Sequence, residues 1–566
     1  MVPGEDEETG AGLRCAAPSA LFARQLLAVM AMLAANCMFA AAAEDGAGKR
    51  IYREGMLPSG EPLCGMVQNG VVLSGNAAAC ASCHRRSGLG GGEGQSTVRP
   101  IAGRLLFEPP QVSLVQRSIF PDGAAASRPA YTRAALARAL REGIDPSGRT
   151  LDALMPRFDL GDDDVTQLAD YLEQLAPRAV PGVTGSEIHF ATVVAAGVPA
   201  AQERAMLDVL QAFFSVKNSG TRREQQRMEV GRSLPGSEQM YRGYRNWKLH
   251  VWKLDGPPGS WRAQLEAYYR QQPVFALLSG IGAHTWQPVH EFCEQNEIPC
   301  LFPNADIPVA DESGYATLYF SRGLALEAEV LAKHLADTGQ GGGAIVQVFR
   351  DDERGRAPAE ALRAAMRQRG FDVADRPLSG NQPVPTSFWT RLLNVDRPKM
   401  LILWLSDADI AGFPAQGEAP PWLDGLYLSA SLTEAPGRFR QSGGWREKIR
   451  VAYPFELPER RAQRLSKMKV WLRARNVPLL DERIQANTYF AATIAGDALA
   501  HMDENFSRDY FIERVERMTE QSLFPAIYPR LSLGPGQRFA SKGGYIARFA
   551  GIDGDRLVAE SDWLVP

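Results

Sequence analysis

Cys80-Ala81-Ser82-Cys83-His84 is the stretch on which the reading of this chain turns. It has the C-x-x-C-H spacing of a c-type haem attachment signal. Two cysteines one short turn apart can each form a thioether with a haem vinyl group. The histidine that follows is then held beneath the iron as an axial ligand. The pentapeptide therefore predicts one covalent haem c on Cys80 and Cys83, an iron ligand in His84, and an oxidising compartment. A zinc site would need further Cys or His ligands at suitable spacing, and none lie nearby.

Outward from the motif, the next question is the second axial ligand, usually methionine or histidine. The only histidine before residue 180 is His84 itself. Met155 stands in Leu154-Met155-Pro156-Arg157-Phe158, between two helical stretches. The first runs over 131–142, with apolar Leu136, Ala139 and Leu140, and Gly143 suits its end. The second has Val165, Leu168, Ala169, Leu172 and Leu175 at helical spacing, and Asp162, Asp163 or Asp164 can cap it. Met155 is read as the second iron ligand, against the plainer role of a core methionine. Met66 precedes the motif and lacks this context. The run Gly88-Leu89-Gly90-Gly91-Gly92-Glu93-Gly94 does not fit G-x-G-x-x-G, and close backbone approach or loop flexibility explains it better.

These features together resemble the class I cytochrome c family: C-x-x-C-H near the start, Met155-Pro156, and the aromatic–leucine pair Tyr171-Leu172 on a closing helix. The loop Arg141-Glu142-Gly143-Ile144-Asp145-Pro146-Ser147-Gly148-Arg149 is similar too. The resemblance covers residues 48–178 and implies a small all-α domain that carries single electrons, with both iron positions filled. It also implies a backbone carbonyl holding the axial histidine, with Pro100 the loosely matching position. Arg85 and Arg86 are candidates to pair with haem propionates, or else solvated surface charges.

The 566-residue chain is 45% hydrophobic and 22% charged, with room for several domains. Its net charge of −3 points neither to nucleic acid nor to an anionic membrane surface. Near the amino end, Arg14 and Arg24 precede an apolar run over Leu26–Ala35, and Phe39-Ala40-Ala41-Ala42-Ala43 follows. This reads as a signal peptide over 1–43, cleaved after Ala43, with export to the periplasm. Acidic Glu5, Asp6, Glu7 and Glu8 depart from the usual pattern. The alternative is an uncleaved anchor that leaves the protein facing the periplasm, although Asn36 interrupts the run. No later segment is long and apolar enough to span a membrane. Of seven cysteines, Cys15 and Cys37 would leave with the signal and Cys64 is left over. Cys293 and Cys300 are either a disulfide, which export permits, or two buried thiols.

Residues 179–187, rich in Pro and Gly, read as a linker. Beyond them the pattern changes to strands alternating with helices: strand 188–194, helix 200–214, strand 274–278, helix 285–294, strand 299–302, helix 324–338, strand 344–349, helix 357–370 and strand 400–405. Such alternation predicts parallel sheets. The whole is thus expected to be multidomain, a small all-α domain followed by a two-lobed α/β unit over 188–560.

Phe275-Ala276-Leu277-Leu278-Ser279-Gly280-Ile281-Gly282, Glu297 to Asp306, Gly343 to Asp351 with Gly355, and Asn487-Thr488-Tyr489-Phe490-Ala491-Ala492 carry a second resemblance. They look like the type I periplasmic solute-binding proteins, the group of the branched-chain amino-acid receptors. The resemblance implies two lobes on a multi-strand hinge that close on a small solute. By position, Ser279, Gly282, His284 and Thr285 are ligand candidates in the first loop, Asn304 and Asp306 in the second, and Asp351, Arg354, Ser406 and Asp407 in the other lobe. For each, an ordinary loop role is the competing reading. Ala283-His284 replaces the small Ser/Thr loop of amino-acid binders, and Arg354 replaces their aromatic residue, which speaks against an amino-acid ligand.

His189, His250, His290, His334 and His501 form no H-E-x-x-H pattern, and no G-x-S-x-G elbow is present. Tyr241, Tyr244, Trp247 and Trp252 read as core, with a pocket or interface the alternative. The expected function is that of a periplasmic c-type cytochrome, not an enzyme. It would exchange electrons with a periplasmic redox protein or dehydrogenase, while the fused module recognises an unknown small solute or the partner. The alternative is a redox-gated receptor, in which lobe closure on the solute modulates electron transfer at the haem.

Overall fold

The computed structural model describes residues 46–93, 96–109, 128–175, 179–229, 245–309, 314–339, 343–414, 418–433, 443–502, 505–521, 526–550 and 556–566. The signal segment 1–43, Cys15, Cys37, Tyr241 and Tyr244 lie outside them. The chain divides into two compact units between Leu175 and Ala176.

Among the described residues the first unit has five α-helices: α1 (46–54), α2 (Cys80–His84), α3 (Gly103–Phe107), α4 (Arg133–Arg141) and α5 (Asp162–Gln174). Thr132 caps α4, its hydroxyl accepting from Ala135 N at 3.1 Å. Of the three aspartates that open α5, Asp164 makes the capping contact, accepting from Gly161 N at 3.1 Å. Val165, Leu168, Ala169 and Leu172 bury the inner face of α5. Helix α1, not anticipated from sequence, crosses α5 so closely that a Cβ on Gly48 would lie 2.1 Å from Gln167 O.

The expectation of an all-α unit needs correction. Strands β1 (Cys64–Met66), β2 (Val72–Ser74) and β5 (Arg157–Phe158) form a three-stranded antiparallel sheet, and β3 (Gly91–Glu93) pairs with β4 (Ser96–Val98). Each has two or three residues and lies beside glycine turns, too short for period-two patterning to show.

The second unit carries two seven-stranded sheets. In the first lobe, β6 (Glu187–Val194), β7 (Asn246–Lys253), β8 (Ala276–Leu278), β9 (Ile281–Gly282), β10 (Cys300–Leu301), β11 (Asn304–Ala305) and β12 (Thr317–Leu318) pair in parallel. Helices α6 (Ala200–Glu229), α7 (Trp261–Gln271) and α8 (Gln287–Gln295) connect them. In the second lobe, β13 (Ile345–Arg350), β14 (Val373–Leu378), β15 (Met400–Trp404), β16 (Gly425–Ser429) and β17 (Ile449–Tyr453) are parallel, and β18 (Tyr545–Ala550) and β19 (Arg556–Ala559) add an antiparallel edge. The near-continuous apolar strands Met400–Trp404 and Gly425–Ser429 are buried throughout, as parallel sheets covered on both faces require.

Helices α9 (Leu324–Asp337) and α10 (Glu353–Gln368) pack on that sheet, while α11 (Glu482–Ala500) packs against α6 and the first sheet. A common apolar core, from Phe190 and Phe275 to Leu401 and Leu426, joins the lobes. The hinge brings distant segments together. Tyr319 N donates to Arg538 O at 2.8 Å, Ser541 N to Phe320 O at 2.6 Å, and Glu456 N to Ile527 O at 2.7 Å. Arg538, 2% exposed, pairs with buried Glu516 and donates to Tyr315 O at 2.7 Å.

The expected linker and limits also move. Val180 is buried, His189 N donates to Gly182 O at 2.8 Å, and a Cβ on Gly182 would lie 2.1 Å from Phe275 N. Residues 179–187 are thus built into the second unit. Its far end passes 560, since Leu564 N donates to Gly544 O at 2.8 Å. Cys293 and Cys300 are free, fully buried thiols, not a disulfide. Burial, then the neighbouring Cys300 thiol, pushes the Cys293 pKa well up. Among the described residues no helix is long and apolar enough to cross a membrane.

Candidate functional site

Two places concentrate chemistry. In the first unit, Cys80, Cys83 and His84 share the single short helix α2. Neither cysteine is in a disulfide; Cys80 is half-buried and Cys83 exposed. Burial pushes the Cys80 thiol up to about 12, so it stays protonated at neutral pH. His84 is 9% exposed, and its Nδ1 lies 2.9 Å from Arg99 O. A ring nitrogen facing a carbonyl must donate, which leaves Nε2 as the unprotonated, metal-binding nitrogen. Burial lowers the His84 pKa, with the Arg99 hydrogen bond opposing it, so the neutral ring is favoured. The acceptor is therefore the Arg99 carbonyl, one residue before the expected Pro100. Pro100 restricts the residue before it to extended backbone, and its own ring is exposed.

Arg85 closes α2 in the left-handed region, φ +65°, and its carbonyl accepts from Tyr52 Oη at 2.7 Å. Arg86 is half-buried beside it. Gly88, at φ +71°, lets the loop approach Ala102 and Leu175, where a Cβ would sit 2.9 Å from Leu175 Cδ1. The glycine run begins with a close approach to protein. Met155 is half-buried in the turn between α4 and α5, while Met66 is 53% exposed. Arg157 packs over Gly143 and donates from Nη1 to Met155 O, and its buried Nη2 has no partner among the described residues. Asp145 is buried. Burial raises its pKa, but hydrogen bonds from Arg149 and Ser147 outweigh this and leave it lowered.

The second place is a cleft of about 600 Å³ between the lobes of the second unit. Two backbone kinks build its first-lobe wall. Ser279 at φ +57° and Gly280 at φ +115° separate β8 from β9, and Phe302 at φ +53° separates β10 from β11. A Cβ on Gly280 would meet Trp286 at 2.8 Å. These kinks put the ends of β9 and β11 at the carboxyl edge of the sheet, where open α/β sheets take ligands.

Six expected residues line this cleft: Gly282, His284, Asn304, Asp306, Arg354 and Ser406. Four do not. Ser279 is 1% exposed and spans to Thr488 Oγ1 at 3.2 Å while accepting from Asn304 Nδ2 at 3.2 Å. Thr285 accepts from Gln287 N at 3.2 Å at the start of α8. Asp351 is exposed, 3.5 Å from Arg356. Asp407 gives way to Asp409, which the turn after Ser406 swings into the cleft. Sequence reading missed Arg350, Asp409, Arg483, Asn487 and Tyr528, which come from a strand end, a turn and two late segments. Lone arginines near strand and helix ends were the available signal.

The polar centre is a cross-lobe bridge. Asp306 accepts from Arg354 Nη2 at 2.7 Å, on the second-lobe helix α10, and from Arg483 Nη1 at 2.9 Å, on α11. Burial would raise the Asp306 pKa, but the charges of Arg483 and Arg354 hold it below the usual carboxylate range. Arg350 is closed by Asp409 Oδ1 at 2.8 Å, Gly380 O at 2.8 Å and Gln382 O at 2.6 Å. Asp409 Oδ2 is closed by Ser406 Oγ at 2.6 Å. Asn487 donates to Asn304 Oδ1 at 3.1 Å, and its own buried Oδ1 has no partner among the described residues. Burial pushes the Tyr528 hydroxyl up to about 12.

Elsewhere, parallel pairing of β6 and β7 sets His189 Nδ1 3.0 Å from His250 Nε2, a meeting their 61-residue separation hid. Among the described residues no group of three or more His, Cys, Asp or Glu could hold a metal ion.

No family model and no curated protein matches this chain. Several solved structures are similar to it. One is a possible leucine/isoleucine/valine-binding protein from Rhodopirellula baltica SH 1, 14% identical over 68% of this chain and 98% of its own, TM-score 0.46. A second is a branched-chain amino acid ABC transporter protein from Thermus thermophilus with bound valine, 14% identical over 68% and 98%, TM-score 0.47. A third is a solute-binding protein from R. palustris in complex with benzoate, 12% identical over 67% and 98%, TM-score 0.47.

Proposed function

We propose that this is an exported, periplasm-facing electron carrier whose first unit holds one covalent haem c and whose second unit binds a small solute. The observation that carries the first half is the His84 ring. Its Nδ1 is committed to the Arg99 carbonyl and its Nε2 is left for iron, on the same short helix as Cys80 and Cys83. The residues present fit the group. Cys80 and Cys83 would form the thioethers, and His84 and Met155 would be the axial ligands. The buried, unpartnered Arg157 Nη2 suits a propionate. A haem bound in this way supplies one-electron transfer, and a methionine ligand raises its potential relative to two histidines.

The chain's own contribution is to orient His84 through Arg99 and to keep its ring neutral by burial. Through Asp145 and Arg149 it also braces the loop that leads to Met155. What supports the second half is the cleft, lined from both lobes at the carboxyl ends of their strands and crossed by one ion-pair bridge. A periplasmic redox protein or dehydrogenase would be the electron partner.

A pyridine haemochrome spectrum of the exported protein tests the reading. A c-type band is expected there, and in the native oxidised spectrum, where the protein's own axial ligands remain, Met155→Ala should abolish the methionine-ligated band. Absence of the c-type band would refute the haem assignment, and an unchanged native spectrum in Met155→Ala would refute Met155.

A further inference from the structure

The charges in the cleft are unevenly engaged. Arg350 and Asp409 form a closed pair, with Arg350 donors spent on Asp409 and two carbonyls and Asp409 Oδ2 held by Ser406. Asp352 caps α10, accepting from Gly355 N at 2.8 Å. Asp306 has one oxygen on each of two guanidiniums. The carboxylates at the cleft are thus already engaged, whereas Arg354 and Arg483 share a single counter-charge. Arg354 is 38% exposed, and its Nε has no partner among the described residues. Asp306 leaves one of these two guanidinium charges over at this corner, although Asp352 brings the cleft lining as a whole to three arginines and three aspartates. Glu327, buried near Asp306, offsets that charge only in part, because burial pushes its carboxyl up to about 7. Ile281, Phe320, Trp404, Leu432 and Ile484 supply the apolar part of the wall, beside polar Gln202, His284, Asn304, Asn381 and Asn487.

From this we infer that the cleft selects a solute with a carboxylate, an apolar body and no ammonium group; the inference rests on the cleft being a solute site. The carboxylate would take the spare donors of Arg354 and Arg483, where planar guanidiniums favour a planar anion. An ammonium would bring three donors to a corner where both oxygens of Asp306 are already on guanidiniums.

Calorimetric titration of the full exported protein with matched pairs tests this: benzoate against benzamide, and 4-methyl-2-oxopentanoate against L-leucine. Each acid should bind at least about tenfold more tightly than its counterpart, the size of one charged hydrogen bond. Arg354→Gln, at a half-exposed position, should weaken acid binding by about tenfold or more while the tryptophan fluorescence melt stays unchanged. Benzamide or L-leucine binding as tightly as the acid, or Arg354→Gln leaving acid affinity intact, would overturn the inference and leave the solute reading standing. If none of the four probes and no member of a broad panel of small polar solutes bound, both would fall.

Discussion

The Cys80–His84 segment and the inter-lobe cleft are assembled at opposite ranges of sequence. In the segment, a single five-residue helix carries both cysteines and the histidine. The cleft draws Gly282, Asp306, Arg354, Ser406, Arg483 and Tyr528 from six separate stretches. Short-range geometry follows from the helix itself, so a motif can announce it. Long-range geometry depends on kinks, hinges and buried pairs that sit elsewhere. The cleft should therefore be sensitive to residues that never touch it, and the segment should not. The chain offers a way to see this separately, because all ten tryptophans lie in the second unit, whereas haem absorbance would report the first.

The largest effect is expected at Arg538. It lies in the hinge, 2% exposed, paired with Glu516 and holding Tyr315 O. Arg538→Met leaves a buried carboxylate without its guanidinium, which costs about 3–5 kcal/mol. Urea unfolding followed by tryptophan fluorescence should move to lower denaturant by that amount, with haem absorbance unmoved below its own transition. A common shift of both signals would break the contrast between the units.

A smaller effect, opposite in sign, belongs to Glu327. It is 1% exposed and accepts from Ser431 N at 3.1 Å, yet its Oε2 has no partner among the described residues. Burial, against hydrogen bonds from Ser429 and Ser431, raises its pKa from 4.5 to about 7. The folded chain keeps a proton that the unfolded chain loses. Stability from this group is full below pH 4.5 and is lost as pH rises to about 7. The loss is up to about 3 kcal/mol. Glu327→Gln mimics the protonated form, so it should stabilise the second unit at pH 8 by up to about that amount and change little at pH 4.5. Equal effects at both pH values in tryptophan-monitored melts would show that Glu327 does not titrate in this range.

Legibility in the sequence follows the same division. Helices α4 and α5 were visible because Leu136, Leu140, Val165, Leu168 and Leu172 repeat on one face. Five strands of the second unit, those at 188–194, 274–278, 299–302, 344–349 and 400–405, were visible as apolar runs. The strands of the first unit were not, because two or three residues between glycine turns carry no period. Export was read from the apolar run and the alanines before Glu44, and it left Cys293 and Cys300 as a disulfide or two buried thiols; thiol geometry is tertiary, and they meet as buried thiols. At the cleft, Asp306 and Arg354 were legible as loop residues at strand and helix ends. Arg483 and Tyr528 were not, since only the return of the chain through the hinge brings them back. Asp409 displaced Asp407 because the Ser406 turn, not the strand's alternation, sets which carboxylate faces in.

The smallest effect separates scaffold from ligand contact within one loop. Ser279 has the position of a contact residue but faces inward, tying the β8–β9 kink to Thr488 on α11 and to Asn304. Ser279→Ala removes a buried hydroxyl bridging two polar groups, at a cost of about 1–2 kcal/mol, because both partners lose a buried hydrogen bond. Thr285 is half-buried and accepts a single hydrogen bond, from Gln287 N, and Thr285→Ala should cost no more than about 0.5 kcal/mol. Tryptophan-monitored melts of the two variants should therefore differ although the residues are six apart in sequence. Equal stabilities would place Ser279 at the cleft surface and undo its role as the tie between the first-lobe kink and α11.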